Sequence, residues 1–214
     1  MTTKGPLRCL TSIYAMAIAV AICGPAAAEG PEQATDEMTM AHHHHHDMQT
    51  MATERAIRTI ARYEVPDVVL QDIDGKPVSL RSVVAANRPV MLNFIYTSCT
   101  SVCPVMTGTF SQVQKKLGTS VNLISISIDP EYDTPDRLRA YAKKFDAGSQ
   151  WTMLTGSLKD SIAVQRAFSA YRGDKMDHVA ATFLRADPGQ PWVRLDGLAS
   201  AGDLVEEFHR IAAR

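Results

Sequence analysis

An unbroken apolar and β-branched run, Val90 to Tyr96, stops at Thr97-Ser98-Cys99-Thr100-Ser101-Val102-Cys103-Pro104 and gives way to a helical pattern. That order leaves few choices: a buried strand must run straight into a helix, with two thiols at the junction. Unpaired N–H groups at a helix start carry partial positive charge and favour thiolate over thiol. At ~100° per helical residue, positions i and i+4 differ by only about 40° and lie about 5–6 Å apart at Cβ. Both sulfurs therefore reach one metal ion and, with small adjustment, can close a disulfide. The chemistry is soft-metal binding, dithiol redox, or both. Two buried structural cysteines would be a plainer explanation, but the flanking Thr, Ser and Pro are poor core residues.

The N-terminus restricts what else these thiols can pair with. Lys4 and Arg8 precede an apolar run from Leu10 to Ile22, and Ala26-Ala27-Ala28 follows before Glu29. This is the pattern of a signal peptide over residues 1–28, cleaved after Ala28. The run is shorter than the ~20 residues that span a bilayer comfortably, although an uncleaved anchor is the alternative. Bulky Ile22 argues against lipidation at Cys23. Cleavage removes Cys9 and Cys23, leaving Cys99 and Cys103 as the only cysteines of a soluble protein exported to the periplasm or a similar oxidising compartment. The formal net charge of −1, with no basic block, excludes a nucleic-acid partner on charge grounds.

Residues 29–49 lack apolar periodicity and read as a disordered Met/His-rich arm. The spacing of Met51, Ile57, Ile60 and Ala61 predicts a helical linker over 50–63. Val68–Gln71 and Val78–Leu80 flank Asp74-Gly75, a hairpin signal. A helix is expected from about Cys103 to Leu117, stopped by Gly118. Val121–Ile128 suits a strand covered on both faces. Thr134-Pro135 and Ser157 with Asp160 open further helices, separated by a strand at Trp151–Leu154. A loop over 171–179, a hairpin around Asp187-Pro188-Gly189 and a terminal helix from Ser200 complete the chain. Strands alternating with helices, then a hairpin and a helix, predict an α/β thioredoxin-like sandwich with an N-terminal β-hairpin extension over 64–214.

A copper site needs more than two sulfurs, and imidazole is a good companion ligand for thiolate. Only His178 and His209 fall in the globular part. His209 reads as solvated surface. His178 precedes the strand expected at Thr182, in a loop that a thioredoxin-like sheet brings against the cysteines, which makes it a candidate ligand. Met176 is a further sulfur candidate. Asp129 and Asp133 read as residues that cap helices and fix loops rather than as catalytic acids. Ala181 stands where thioredoxin-like reductases typically carry a cis-proline, which tilts the balance from general disulfide exchange towards metal binding.

Thr97-x-Cys99-x-x-x-Cys103-Pro104, Ser127-Ile128-Asp129-Pro130 with Asp133-Thr134-Pro135, and Asp177-His178 together closely resemble the Sco/SenC family of copper-binding thioredoxin-like proteins, over roughly residues 64–213. The resemblance implies that Cys99, Cys103 and His178 bind one copper ion. It also implies a part in building the dinuclear copper centre of cytochrome c oxidase, and in thiol–disulfide exchange. Two departures stand out. Many relatives are membrane-anchored whereas this chain reads as released, and Val179-Ala180-Ala181 after His178 lacks the small hydroxyl residue expected there.

A second feature is the internal run His42, His43, His44, His45 and His46, set among Met38, Met40, Met48 and Met51. Thioethers suit Cu(I) and clustered imidazoles suit Cu(II), so the run reads as an auxiliary copper-gathering arm, with an engineered tag or neutral tract as the bland alternative. The leading expectation is an exported copper metallochaperone that delivers to a cuproprotein such as a cytochrome c oxidase subunit. The alternative is a thiol–disulfide oxidoreductase with Cys99 and Cys103 as its redox pair and a thiol reductant as partner. A peroxide-scavenging enzyme is a third reading, and it lacks an arginine near the cysteines in sequence.

Overall fold

The strand that carries the thiols lies in the interior of a six-stranded sheet. The structure, a computed structural model, describes residues 56–213. The signal peptide, the Met/His arm and the first part of the expected helical linker lie outside the described residues. Strands β1 (Ile57–Ala61), β4 (Val90–Ile95), β5 (Asn122–Ser127), β6 (Trp151–Leu154), β7 (Ala181–Arg185) and β8 (Trp192–Asp196) form the sheet in the order β1-β8-β7-β4-β5-β6. β4, β5 and β6 are parallel, while β7, β8 and β1 run antiparallel to their neighbours. A separate hairpin, β2 (Val69–Gln71) and β3 (Pro77–Ser79), supplies the expected N-terminal extension.

All six residues of β4 are buried, as a strand flanked on both edges and covered on both faces requires. Side chains alternate across it. On one face Ser125 Oγ donates to Asn93 Oδ1 at 2.7 Å and Trp151 Nε1 donates to Ser125 Oγ at 3.0 Å. Helix α2 (Val102–Leu117) brings Phe110 against Trp151 there. On the opposite face Phe94 meets Phe168 and Phe183 edge-on at ring separations of 6.0 and 5.9 Å. Burying each such ring contributes about 1.5–3 kcal/mol, so the strand leading to the thiols is among the best-packed parts of the protein.

The remaining helices are α1 (Leu80–Val84), α3 (Pro135–Lys144), α4 (Leu158–Ala167) and α5 (Ala201–Ala212). Thr134, Ser157 and Ser200 cap α3, α4 and α5, the last in a reciprocal capping box with Asp203. α2 ends at Gly118, whose φ of +55° lies in the left-handed region that glycine adopts without strain. In the hairpin, Asp72 Oδ1 accepts from the N–H groups of Asp74 and Lys76 at 2.8 and 2.9 Å and so folds the turn. Leu80, expected to end the second hairpin strand, instead opens α1 behind the Ser79 cap.

The helix expected over 50–63 is corrected within its described part: Ile57–Ala61 is strand β1, paired antiparallel with β8. The i, i+3, i+4 spacing of Ile57, Ile60 and Ala61 imitated an amphipathic helix, yet Ile57 is 68% and Ile60 51% exposed. What places the segment is the ladder to β8 and a two-point ion pair from Arg58 to the buried Glu207 of α5, at 3.0 and 2.9 Å. The sheet therefore begins before the boundary at residue 64.

Candidate metal and thiol site

β4 ends at Ile95, and the chain turns at Tyr96, whose carbonyl accepts the Cys99 N–H at 3.2 Å. A buried carboxylate fixes this turn from behind. Asp133, 0% exposed, accepts from the Thr97 N–H at 3.2 and 3.1 Å, from the Thr97 hydroxyl, and from the Ser127 hydroxyl at 2.6 Å. One side chain thus ties the thiol loop to the end of β5. The reading of Asp133 as a loop-fixing residue is what the structure displays.

α2 starts after Ser101, whose side chain makes no cap bond. The orphan N–H of Cys103 instead donates to Cys99 Sγ at 3.4 Å, so the sulfur takes the place of an N-cap oxygen. Both cysteines are free thiols, Cys99 7% exposed and Cys103 0% exposed. Their acidities diverge accordingly. Burial pushes Cys99 up, but hydrogen bonds from the Cys103 and Ser101 backbone and side chains outweigh it and bring the thiol down to about 7. Burial pushes Cys103 far up, only partly opposed by the Tyr96 N–H, and the neighbouring Cys99 adds to the rise.

His178 follows a short 3-10 turn, Lys175–Asp177. Its Nε2 lies 3.0 Å from the Phe94 carbonyl oxygen. A carbonyl only accepts, so Nε2 carries the proton and Nδ1 is the lone-pair nitrogen of the neutral ring. Burial lowers the imidazole pKa; the Phe94 carbonyl opposes this and Arg172 reinforces it. The ring meets Tyr96 edge-on at 6.4 Å. His178 therefore stands at the thiol-bearing end of β4, but among the described residues no three His, Cys, Asp or Glu side chains converge on one metal-sized point. Cys99 and Cys103 are together; the imidazole is one ring away, held on a carbonyl. His209 sits in the last turn of α5 against Phe208, apart from this site. His42 to His46 and the methionines around them lie outside the described residues.

Tyr96 was missed as a site residue. Its carbonyl holds the Cys99 N–H, its hydroxyl donates to Met176 Sδ at 3.8 Å, and the Lys175 ammonium lies 5.8 Å from its ring. Burial, then Cys99, Cys103 and Asp129, push its phenol up to about 12. The available signal was its place at the strand end, three residues before the first thiol. Lys175 also pairs with Asp129 at 2.5 Å, which joins the His178 loop to the loop after β5.

A βαβ unit with two thiols at its helix start, followed by a β-hairpin and helix, defines a thioredoxin-like protein. Residues 59–213 match the SCO1/SenC family, and the chain belongs to that family. It is 36% identical to the SCO1 protein homolog of Bacillus subtilis (strain 168) over 110 residues, 50% of this chain and 56% of that one. The chain spans about half or less of the length of the curated relatives it matches. BsSco, a member of the Sco family of cytochrome c oxidase assembly proteins in which a disulfide switch has been identified, is 29% identical with a TM-score of 0.62, covering 73% of this chain and 98% of its own. Bradyrhizobium japonicum ScoI with copper bound is 26% identical with a TM-score of 0.58, covering 71% of this chain and 99% of its own. Among the described residues no helix is long and apolar enough to cross a membrane.

Proposed function

We propose that this chain is an exported copper carrier. It takes one copper ion on Cys99, Cys103 and His178 and passes it to a cuproprotein, with the dinuclear copper site of cytochrome c oxidase as the recipient. The observation that carries this reading is the thiol pair itself: two reduced sulfurs one helical turn apart, one of them capping the helix. The donor set fits copper. Thiolates and a neutral imidazole are soft-to-borderline ligands that suit it in either oxidation state, and the copper-bound ScoI relative supports the assignment. His178 has a proton-free Nδ1 to offer while its other nitrogen holds a backbone carbonyl, an orientation typical of ligating histidines. A cavity of ≈ 210 Å³ lined by Ile128, Ile162 and His178 leaves room beside the ring.

On this reading residues 1–28 direct export, and the arm carrying His42 to His46 gathers copper ahead of the folded site. The decisive experiment is anaerobic copper titration of the reduced protein and of His178→Ala. A carrier binds about one copper in the folded domain, and loss of the imidazole, a direct ligand, weakens it by more than the roughly 10–100-fold typical of losing a ligand's hydrogen-bond partner. Unchanged affinity in His178→Ala would remove the histidine from the site.

One observation favours a second reading. The unequal acidities of Cys99 and Cys103 are those of an attacking and a resolving thiol, and BsSco carries a disulfide switch. A thiol–disulfide oxidoreductase acting on a partner's cysteines would use the same pair, and copper transfer itself requires that pair reduced. His178→Ala separates the two, because disulfide exchange proceeds without the imidazole and copper retention does not.

A further inference from the structure

Met176 is the most exposed large apolar side chain among the described residues, at 72%. A methionine so placed on a loop is unremarkable if only its methyl is engaged. Here the sulfur is engaged: Met176 Sδ accepts from the Tyr96 hydroxyl at 3.8 Å, and the carbonyl of the same tyrosine accepts the Cys99 N–H at 3.2 Å. One residue therefore touches both the outer thioether and the residue that carries the more exposed of the two thiols. The backbone fixes the residue, since the Met176 N–H donates to Asp174 Oδ1 at 2.9 Å. Lys175, the adjacent positive charge that would repel an arriving cation, is neutralised by Asp129. His178 lies two residues further on.

We propose that Met176 is a transient thioether ligand at the mouth of the site, which receives Cu(I) and hands it to Cys99; this rests on the copper-carrier reading above. A thioether suits Cu(I) and, being neutral, binds it more weakly than a thiolate does. It can take the ion from a donor and release it inward. Copper stays Cu(I) throughout. As the bond from copper to Cys99 Sγ forms, the thiol proton leaves to solvent and the bond from copper to Met176 Sδ breaks. No oxidant or reductant is needed. The Tyr96 hydroxyl holds the Met176 sulfur beside the thiol turn before the metal arrives.

The test is stopped-flow transfer of Cu(I) from its bicinchoninate complex to the reduced full chain, read by loss of the chelator's absorbance, for wild type, Met176→Leu and Cys99→Ser. Leucine keeps the volume and removes the sulfur. The expected result is loading slowed about tenfold in Met176→Leu with equilibrium affinity within about threefold of wild type, below the 10–100-fold seen when a held partner of a metal ligand is lost. Selenomethionine-labelled protein, frozen during loading, should show a copper–selenium contribution in X-ray absorption that falls in Met176→Leu, the arm's methionines supplying the same remainder in both. An unchanged loading rate overturns the proposal. A fall in equilibrium affinity as large as the fall in rate overturns it too, because Met176 would then be a permanent ligand. Failure of the underlying reading looks different: wild type and Cys99→Ser would take up copper alike.

Discussion

The two halves of the site are built in different ways. Cys99 and Cys103 sit where a fully buried strand enters a helix, and the turn between is held by the buried Asp133 and by the helix's own first N–H groups. His178 and Met176 sit on a loop whose turn bonds are local, Asp177 N–H to Asp174 O and His178 N–H to Lys175 O, both at 3.2 Å. Three outward hydrogen bonds hold that loop, His178 to Phe94 O, Met176 to Tyr96, and Lys175 to Asp129, beside the ring contacts of His178 and Lys175 with Tyr96. The thiol half is preorganised and the imidazole half is adjustable. A carrier profits from the division, since ligands must leave one at a time when cargo is passed on. On the proposed copper reading, a fixed pair of thiolates would retain the metal while the imidazole swings. A rigid three-ligand cage would hold copper well and release it slowly.

The strongest break of this comparison removes a sulfur. Cys99→Ser or Cys103→Ser should abolish both stoichiometric copper binding and disulfide exchange, as read by copper titration and by exchange with a model disulfide. Residual one-to-one binding in either variant with His42 to His46 also replaced by serine would mean that the thiol half is not the anchor.

Next in size is Asp133→Ala. It leaves the buried Ser127 hydroxyl and the half-buried Thr97 N–H and hydroxyl without their common acceptor. Buried donors left unpaired each cost about 1–3 kcal/mol, so the unfolding free energy from urea titration should fall by about 2–5 kcal/mol. The drop should come with altered Cys99 reactivity, because Thr97 positions the thiol turn. A variant as stable as wild type would show that the turn holds itself.

The third prediction concerns pH. Cys99 is brought down to about 7 while Cys103 is driven far above the ordinary thiol range. The thiolate is the nucleophile, so alkylation of Cys99 by iodoacetamide should rise with pH through a midpoint of about 7. Cys103 should stay unmodified across that range. Below the midpoint Cys99 is a thiol and reaction slows; above it the rate levels off. Equal modification of both cysteines by mass spectrometry would erase the distinction between an attacking and a resolving sulfur.

The thiol half was legible in the sequence because local rules produce it. Val90–Tyr96 can only be a buried strand, Gly118 stops the helix, and Thr134-Pro135 caps the next one, so the topology follows from patterns a few residues long. The imidazole half was legible only as a place. Nothing local to Asp177-His178 tells that the ring would rest on the Phe94 carbonyl, 84 residues earlier. The misreading at Ile57–Ala61 has the same origin: Arg58 reaches Glu207 across 149 residues, and no spacing within 50–63 encodes that partner. Asp133 was recognisable as a loop-fixing residue, but its link to Thr97 required the fold.

The smallest expected effect sharpens the comparison most. Lys175 is more than a third exposed and pairs with Asp129 at 2.5 Å, an ion pair screened by water and salt. Lys175→Ala should therefore leave the urea midpoint where it is, unlike Asp133→Ala. What should change is local: amide exchange over residues 174–178 should quicken, since one of the loop's three outward hydrogen bonds is gone and opening of this segment is separate from global unfolding. Exchange in β4 and in the first turn of α2 should be unaltered. Raising the salt on wild type should move the same amides in the same direction, because it weakens the same pair. If Lys175→Ala lowered the midpoint as far as Asp133→Ala does, the loop would belong to the rigid frame. The imidazole would then be as fixed as the thiols, and a swinging third donor would have to be abandoned.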